Sequence, residues 1–386
     1  MNTIHYICAY AEQYWLDNYL LAPSGSAKIN YIKSAIREAG WNLSMFSPVC
    51  VKRSVATSKK VKIDEHEIHY YPFSIGGHLR LVRLLSYILI YIQLFFYLFL
   101  HVKKNEIVLL YHSNPDTRII KKLSKILGFK LILELEEIYS AVFHNTSNIE
   151  EEKNLASTAA DAYLLVNNII SQKCNITKPS VVCEGQYLSL SDTSKTLVGD
   201  NGKINVLYAG VIEKGADAFA AIEAAKLLGA QYALHIAGYG SEEAIKDFED
   251  TCDGYANCNN DCSIKFYGCL HGADYESLLS RCSIGLCSRM LEDELSDYTF
   301  PSKVFAYLAR NLKVVCTPIS CVMASDLSSN IVFSKDTTPF ALAEAIKTID
   351  SNTVIENSAI LHNEHNRFVQ ELKLLFQNLG CNTSAK

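Results

Sequence analysis

The chain has 386 residues, 49% hydrophobic and 20% charged, a composition typical of a globular protein with a substantial core. Its length predicts two domains of ordinary size. The net charge of −5 excludes the overall basic field that favours nucleic acid as a partner.

The 13 cysteines are scattered and include no C-x-x-C pair. The amino terminus lacks the basic segment of a cleavable signal sequence, so we expect reduced thiols in a cytosolic protein. A zinc site stays open as an alternative in the densest group, although its spacing fits no standard pattern. That group comprises Cys252, Cys258, Cys262 and Cys269.

Apolar stretches alternate with helical stretches from the start of the chain. The first predicted strand is Ile4–Ala9, and a helix from about Ala27 to Ala39 follows the turn at Pro23–Ser26. Further strands are predicted at Asn42–Ser47, Ile68–Tyr71, Glu106–Tyr111, Phe129–Leu135, Ala162–Val166 and Val181–Cys183. This alternation is typical of a parallel sheet covered on both faces, and we predict a first α/β domain over residues 1–190.

A second alternating series is predicted over residues 204–358, after a polar linker at Ser189–Lys203. Its strands lie near Ile204–Ala209, Tyr232–Ala237, Ile264–Tyr267, Ile284–Ser288, Lys313–Cys316 and Ile331–Phe333. Two doubly wound domains in tandem predict a cleft between them, beyond the carboxyl ends of the strands. In the last segment, 359–386, a helix over about Ala359–Asn378 is long enough to return to the first domain.

One apolar helix is predicted over about residues 79–102, and its centre, Leu84–Leu100, carries no charge. Strands of one domain flank it on both sides, which argues against a membrane span. The basic residues around it favour a helix lying in the membrane interface: Arg80, Arg83, Lys103 and Lys104. A buried core helix and a true span are the alternatives.

The segment Tyr298–Ala309 contains a loop that leads into an amphipathic helix. Pro301, Ser302 and Lys303 lie at the predicted helix start, where free backbone N–H groups and the helix dipole favour an anion. We expect Ser302 to cap the helix and Lys303 to add a positive charge, which predicts a phosphate site. An ordinary capped surface helix is the alternative.

Glycines at the ends of predicted strands allow the backbone to approach a ligand closely. Gly25 follows the first strand, Gly210 ends the first strand of the second domain, and Lys214 stands before the next helix as a charge for a diphosphate. The other candidates are Gly238 and Gly240, and Gly268 and Leu270, whose backbone is placed to read a nucleobase edge. Plain turns and a solvated lysine would show the same pattern. A dinucleotide fingerprint needs a third glycine, so we discount nicotinamide.

Taken in order, these elements resemble family-4-type glycosyltransferases of the GT-B fold, which has two Rossmann-like doubly wound domains facing a cleft. The resemblance is greatest to bacterial enzymes that build O-antigen, lipopolysaccharide, capsule or other exopolysaccharide. The matching segments are the Gly25 turn, Leu133–Tyr139, Tyr208–Gly210 with Lys214 and Gly215, His235–Gly240, Phe266–Gly268, and Phe300–Lys303 with Tyr307–Ala309.

The resemblance implies transfer of a hexose from a nucleotide sugar, UDP being the common nucleotide, to a glycan on a polyprenyl diphosphate lipid. Retention of configuration, no metal ion and a peripheral position on the inner face of the cytoplasmic membrane are also implied. The sequence contains no Asp-x-Asp triplet for a metal–nucleotide complex. The second domain would bind the donor, and the first would bind the acceptor.

The chemistry implied is electrostatic, because negative charge develops on the leaving diphosphate. Lys214 and Lys303 would stabilise that charge. Glu136 and Glu137 follow an apolar strand, and one of them would orient or deprotonate the acceptor hydroxyl; capping or solvation of both is the alternative. His112 is a weaker candidate and is interpreted as a hydrogen-bonded structural residue.

The sequence departs from the family signature at several positions. Ala306 and Tyr298 occupy the places of a glutamate pair, the later of which holds the ribose in the family. Val211 replaces a frequent arginine, and a glycine expected after the helix is replaced near Asn311. Glu292 and Glu294 lie in the preceding loop and are candidate substitutes for the missing glutamate; a plain acidic surface loop is the alternative. A degenerate scaffold that binds a partner or lipid, and a sugar-nucleotide epimerase, are therefore alternative functions.

Overall fold

The computed structural model describes residues 2–12, 19, 23–52, 55–77, 79–142, 148–191, 193–213, 217–256, 262–289 and 295–381. The chain forms two compact units. The first comprises Met1–Gln186 and Asn366–Lys386, and the second comprises Tyr187–His365.

The strands of the first unit are β1 (Thr3–Ile7), β2 (Asn42–Phe46), β3 (Val55–Ala56), β4 (Lys59–Lys62), β5 (Glu67–Tyr71), β6 (Ser74–Ile75), β7 (Ile107–Tyr111), β8 (Lys130–Leu135), β9 (Ala162–Leu165) and β10 (Ser180–Val182). Its helices are α1 (Pro23–Glu38), α2 (Arg80–His101), α3 (Asn114–Leu127), α4 (Tyr139–Val142), α5 (Ile149–Ala159) and α6 (Asn168–Lys173). The main sheet of this described part has the order β10-β9-β8-β7-β1-β2-β5-β4. Its neighbours are parallel except β4, which pairs antiparallel with β5.

The central strands of this sheet are apolar along almost their whole length. In β8, every residue from Leu131 to Leu135 is buried, as expected for a parallel strand covered on both faces. Helix α3 begins where the Ser113 side chain accepts a hydrogen bond from the Asp116 N–H, and it ends at Gly128, whose φ is 77°. Local capping chemistry therefore sets both ends of this helix.

The strands of the second unit are β11 (Lys195–Thr196), β12 (Ile204–Val211), β13 (Tyr232–Tyr239), β14 (Ser263–Phe266), β15 (Ile284–Cys287), β16 (Lys313–Cys316), β17 (Ile331–Phe333) and β18 (Val354–Ile355). Its helices are α7 (Asp217–Ala225), α8 (Glu242–Ala256), α9 (Gly272–Arg281), α10 (Leu295–Tyr298), α11 (Ser302–Leu308), α12 (Ser320–Met323) and α13 (Pro339–Lys347). The parallel sheet has the order β14-β13-β12-β15-β16-β17 within the described residues.

The last helix, α14 (Ser358–Cys381), begins in the second unit and continues into the first. In the first unit, the Phe368 ring stacks on Tyr31, and the Phe376 ring meets Trp41 edge to face. These contacts make the end of the chain part of the core of the first unit.

The alternation of strands and helices in both halves confirms the predicted α/β class. The short strands β3, β4 and β6 were not predicted, because two to four residues carry too little pattern. Helix α1 begins before the predicted start, so Gly25 lies in its first turn rather than in a turn before it.

The predicted linker also differs from the structure, since all of Ser189–Lys203 falls within the second unit. There, β11 pairs antiparallel with β18, and the Lys195 ammonium donates to the carbonyls of Leu279 and Cys282. Polar composition suggested a free linker, but the segment is held by backbone and carbonyl bonds that composition does not reveal.

Candidate functional site

The carboxyl edge of the second sheet brings several of the predicted residues together. Strands β12 and β13 pair in register, with Gly210 opposite Gly238. Helix α11 carries Lys303 to the same edge, where a Cβ on Gly210 would lie 3.1 Å from the Lys303 Nζ. Glycine at position 210 therefore leaves room for the lysine side chain.

The Lys303 ammonium is held by an aromatic ring and a carboxylate. It lies 4.2 Å from the centre of the Tyr208 ring and 3.7 Å from the nearer Asp217 oxygen. Burial opposes the charged form, but the neighbouring Tyr208, Cys287 and Asp217 groups raise the pKa of Lys303 above its usual value. Lys303 is therefore a partly buried cation at neutral pH, which suits it to hold an anion.

A buried tyrosine fixes helix α11 against the sheet. The Tyr307 hydroxyl accepts a hydrogen bond from the Ala209 N–H at 2.9 Å. Its ring lies directly against Gly285, where any Cβ would collide with the ring carbons. Contacts with Ala209 of β12 and Gly285 of β15 thus give the helix that carries Lys303 a defined position on the sheet.

The expected capping role of Ser302 is wrong. Pro301 is the N-cap of α11, no side chain caps the helix start, and Ser302 is its first, exposed residue. Ser302 lies one position inside the helix, beyond the N-cap. The N-cap is the position from which a side-chain oxygen accepts a hydrogen bond from the first free N–H groups. Pro301 is buried and fixes the approach of the loop.

The remaining glycines have structural reasons to be glycine. A Cβ on Gly238 would collide with the Gly210 carbonyl, and one on Gly240 would collide with the Ile212 carbonyl. Gly268 has a φ of 68°, and its carbonyl accepts from the Gly238 N–H. Leu270 is half-buried after this turn. Their roles toward a ligand, and that of Gly25, stay predictions.

Asn311 occupies the left-handed backbone position in which the resemblance predicts a glycine. Its φ is 54°, and asparagine is one of the few residues that adopt this conformation readily. The side chain donates to the Thr193 carbonyl and accepts from the Asn357 N–H. The replacement therefore preserves the turn after α11 and adds two bonds.

In the first unit, Glu136 lies in a buried ion pair. The Lys28 ammonium donates to the Glu136 carboxylate and to the Cys183 carbonyl, each at 2.6 Å. The other Glu136 oxygen, Oε1, is buried and has no hydrogen-bond partner among the described residues.

Glu134, two residues earlier, is a buried carboxyl group that the sequence did not single out. The Tyr6 hydroxyl donates to its Oε2 at 2.5 Å, and its Oε1 has no hydrogen-bond partner within the described part of the chain. Burial, and then the charge of Glu136, raise the pKa of Glu134 to about 8. The sequence feature that could have identified Glu134 is a glutamate within the otherwise apolar stretch Leu-Ile-Leu-Glu-Leu. The raised pKa favours the neutral carboxylic acid form of Glu134 near neutral pH.

The loop after β8 is held by a second carboxylate. Glu152 accepts from the N–H groups of Tyr139 and Ser140, both at 2.8 Å, and lies 3.1 Å from the His112 Nε2. Burial opposes ionisation, but hydrogen bonds from His112, Ser140 and Tyr139 lower the pKa of Glu152 to about 2. His112 is thus a structural histidine, as interpreted from the sequence. Glu137 is half-buried in this loop.

Several predicted residues lie outside the described part of the chain. They are Lys214, Gly215, Cys258, Glu292 and Glu294. Among the other cysteines of the zinc alternative, Cys252 is half-buried, Cys262 is buried and Cys269 is exposed.

Within the described residues, one group has the donors and spacing of a metal site: Glu12, Glu67 and His69. The Lys33 ammonium lies 2.9 Å from the Glu67 carboxylate and 3.4 Å from Glu12. Arg37 also contacts Glu67, at 3.1 Å. Because side-chain cations already balance these carboxylates, we assign no metal ion to this group.

No protein-family model and no curated protein matches the sequence. Solved structures do match in fold. The α,α-trehalose 6-phosphate synthase from Burkholderia multivorans has a TM-score of 0.64 at 10% identity, covering 100% of this chain and 99% of that one. Anabaena Alr3699/HepE in complex with UDP has a TM-score of 0.65 at 12% identity, covering 98% and 100%.

The sucrose-phosphate synthase from Thermosynechococcus elongatus has a TM-score of 0.60 at 11% identity, with coverage of 99% and 97%. These likenesses extend over nearly the whole of each chain. They establish the GT-B fold with its two Rossmann-like domains and confirm the fold predicted from the sequence.

Proposed function

We propose that the protein is a glycosyltransferase that moves a hexose from a UDP-sugar to a lipid-linked glycan acceptor at the membrane. The observation that carries the proposal is the Lys303 ammonium held beside Gly210 at the carboxyl edge of the second sheet. Ligands of doubly wound domains bind at this edge. A nucleotide sugar is further supported by the similar fold of HepE, which is described in complex with UDP, and of UDP-forming trehalose-phosphate synthases.

In this proposal, Lys303 stabilises the charge that develops on the departing diphosphate as the glycosidic bond breaks. A positioned cation at such a place lowers the barrier because it needs no reorganisation during the reaction. Lys214 is proposed as a second cation. No carboxylate triplet for a metal–nucleotide complex occurs in the sequence, so we propose that the protein's own cations replace the metal. Retention of the anomeric configuration is part of the proposal.

The first unit is proposed to bind the acceptor. We propose that Glu136 accepts a hydrogen bond from the attacking hydroxyl, because its Oε1 has no hydrogen-bond partner among the described residues. The Lys28 ammonium donates to the other oxygen, Oε2, and so fixes the orientation of the carboxyl group. Glu137, on the same loop, is the second candidate for this role.

A lipid-linked acceptor is supported by helix α2. The helix is long and apolar enough to cross a membrane, with a mean hydropathy of 1.9, yet β5 before it and β7 after it belong to one sheet. One face packs inward through Ser86, Ile90, Leu94, Tyr97 and Leu98. The opposite face exposes Leu81, Leu84, Leu85, Ile88, Ile92, Phe95, Phe96, Phe99 and Leu100.

This exposed stripe, with the basic residues at both ends of the helix, has the character of an interfacial membrane helix. We propose that the protein lies on the inner face of the cytoplasmic membrane. There, the helix would hold the first unit, which is proposed to bind the acceptor, next to polyprenyl-linked glycans of O-antigen, lipopolysaccharide or exopolysaccharide synthesis. A core helix would not leave so continuous an apolar face uncovered.

The test is a thermal-shift panel of UDP-, GDP-, ADP- and dTDP-sugars on the purified protein, with and without EDTA. A ligand that binds the folded state raises the melting temperature by mass action. We expect UDP and UDP-hexoses alone to raise it, equally with EDTA. A flat panel would instead favour a catalytically degenerate scaffold, for which Ala306 and Val211 are the motivating positions.

A further inference from the structure

A second cation, Arg289, lies at the same edge of the second sheet as Lys303. Strands β12 and β15 are parallel neighbours, so their carboxyl ends lie at the same edge of the sheet. Val211 is the last residue of β12, and Arg289 follows the end of β15 by two residues. The arginine therefore lies at the sheet edge where the resemblance predicts one at position 211 and the sequence has valine.

The backbone of Arg289 is firmly placed. The Thr317 hydroxyl donates to the Arg289 carbonyl at 2.7 Å, and the Thr317 N–H donates to the Cys287 carbonyl at 3.0 Å. One guanidinium nitrogen donates to the Thr299 hydroxyl at 3.1 Å, two residues before Pro301. The side chain is thus directed toward the loop that leads to Lys303.

Within the part of the chain that the structure describes, no carboxylate forms an ion pair with Arg289, and its guanidinium donates to the Thr299 hydroxyl instead. Lys303, by contrast, has Asp217 at 3.7 Å. A hydrogen bond with Cys316 is the main cause that lowers the pKa of Cys287, and the charges of Lys303 and Arg289 lower it further.

We propose that Arg289 binds the diphosphate of the donor together with Lys303. This inference rests on the proposed function, since it names a further residue of the same donor site. A diphosphate carries several negative charges, which one lysine with a carboxylate neighbour balances poorly. The planar fork of arginine donates two parallel hydrogen bonds to phosphate oxygens, and Lys303 acts beside it as a point charge.

The test is calorimetric titration of the full-length protein with UDP, UMP and uridine. Arg289→Gln is compared with wild type, and Arg281→Gln is the matched control. Arg281 ends α9 before β15 begins, at the opposite edge of the sheet, and donates to the Ser277 carbonyl of its own helix. We expect Arg289→Gln to lower the affinity for UDP about 10- to 100-fold, the range for a lost hydrogen bond to a charged group. The loss should be smaller for UMP and absent for uridine, with Arg281→Gln equal to wild type.

Equal affinity of wild type and Arg289→Gln for UDP would overturn the inference and leave the proposed function standing. A wild-type protein that binds none of the nucleotides would overturn both. If Arg289→Gln does not fold, Arg289→Lys decides, because it keeps the charge but loses the fork. We expect Arg289→Lys to lower the affinity for UDP severalfold and to leave the affinity for uridine unchanged. An unaltered affinity for UDP would count against a bidentate role.

Discussion

The Lys303 ammonium occupies the space beside the Gly210 Cα that a larger side chain would need. The two residues are separated by about half of the second unit in sequence. A methyl group at position 210 would require the flexible end of the lysine to move by a few tenths of an ångström, while the backbone there could stay in place. The position of the cation is therefore sensitive to a change that adds one carbon atom.

Replacing Lys303 with alanine should remove the main described charge for the leaving group. We expect Lys303→Ala to lower turnover by about 10²–10³-fold, as for the loss of one oxyanion donor. Initial rates with a saturating donor would measure this, together with the melting temperature. Lys347→Ala, at an exposed helix position, is the control and should leave turnover unchanged. Normal turnover in Lys303→Ala would contradict the proposed role.

Glu136→Gln tests the acceptor side. The amide keeps the shape of the carboxylate but cannot take a proton, so we expect turnover to fall by about 10²–10⁴-fold. Affinity for the donor, measured by calorimetry, should not change, because Glu136 belongs to the first unit. Glu137→Gln is the matched variant on the same loop. If it alone abolishes turnover, the roles of the two glutamates are exchanged.

Glu134 should make stability depend on pH. Its folded pKa is raised from the ordinary 4.5 to about 8, so the folded state retains a proton that the unfolded state releases between these values. The free energy of unfolding should therefore fall as pH rises from 4.5 to 8 and level off above that range.

Urea titrations at a series of pH values would measure this fall. Glu134→Gln, which is neutral throughout, should remove most of it. Glu150→Gln, an exposed carboxyl on α5, should not alter it. A fall of the same size in Glu134→Gln would show that the pH dependence originates elsewhere in the protein.

The exposed face of α2 predicts binding to lipid. We expect sedimentation with vesicles that contain anionic lipid, and a large loss of binding in Phe96→Glu, since a charge at the centre of the apolar stripe opposes insertion. Phe340→Glu places the same charge at an exposed phenylalanine of the second unit and serves as control. Equal sedimentation of both variants would show that α2 is not the contact.

Local patterns predicted much of the fold, because buried parallel strands such as β8 leave apolar runs that alternate with helices. They also located Lys303, whose neighbours in sequence form a recognisable segment. They failed where a partner is distant in the chain. The Tyr6–Glu134 hydrogen bond joins residues 128 positions apart, and no local pattern indicates that it forms.

The same limit applies to Gly238 and Gly240. From the sequence they suggest a ligand turn, whereas the structure shows that each lies against a carbonyl group of the neighbouring strand or loop. Arg289 shows the converse. Arg289 and Val211 share a sheet edge because β15 and β12 are neighbours in the sheet, and no single segment of the sequence predicts the order of the strands.

The path of α14 has a consequence for how the protein is made. The first unit is synthesised first, but its core includes Phe368 and Phe376 from the end of the chain. During synthesis on the ribosome, the rings of Tyr31 and Trp41 would therefore lack these packing partners until the end of the chain is made. The first unit, although translated first, would complete its folding last. The nascent chain would need protection during that interval, and the membrane surface itself is one place where α2 would find it.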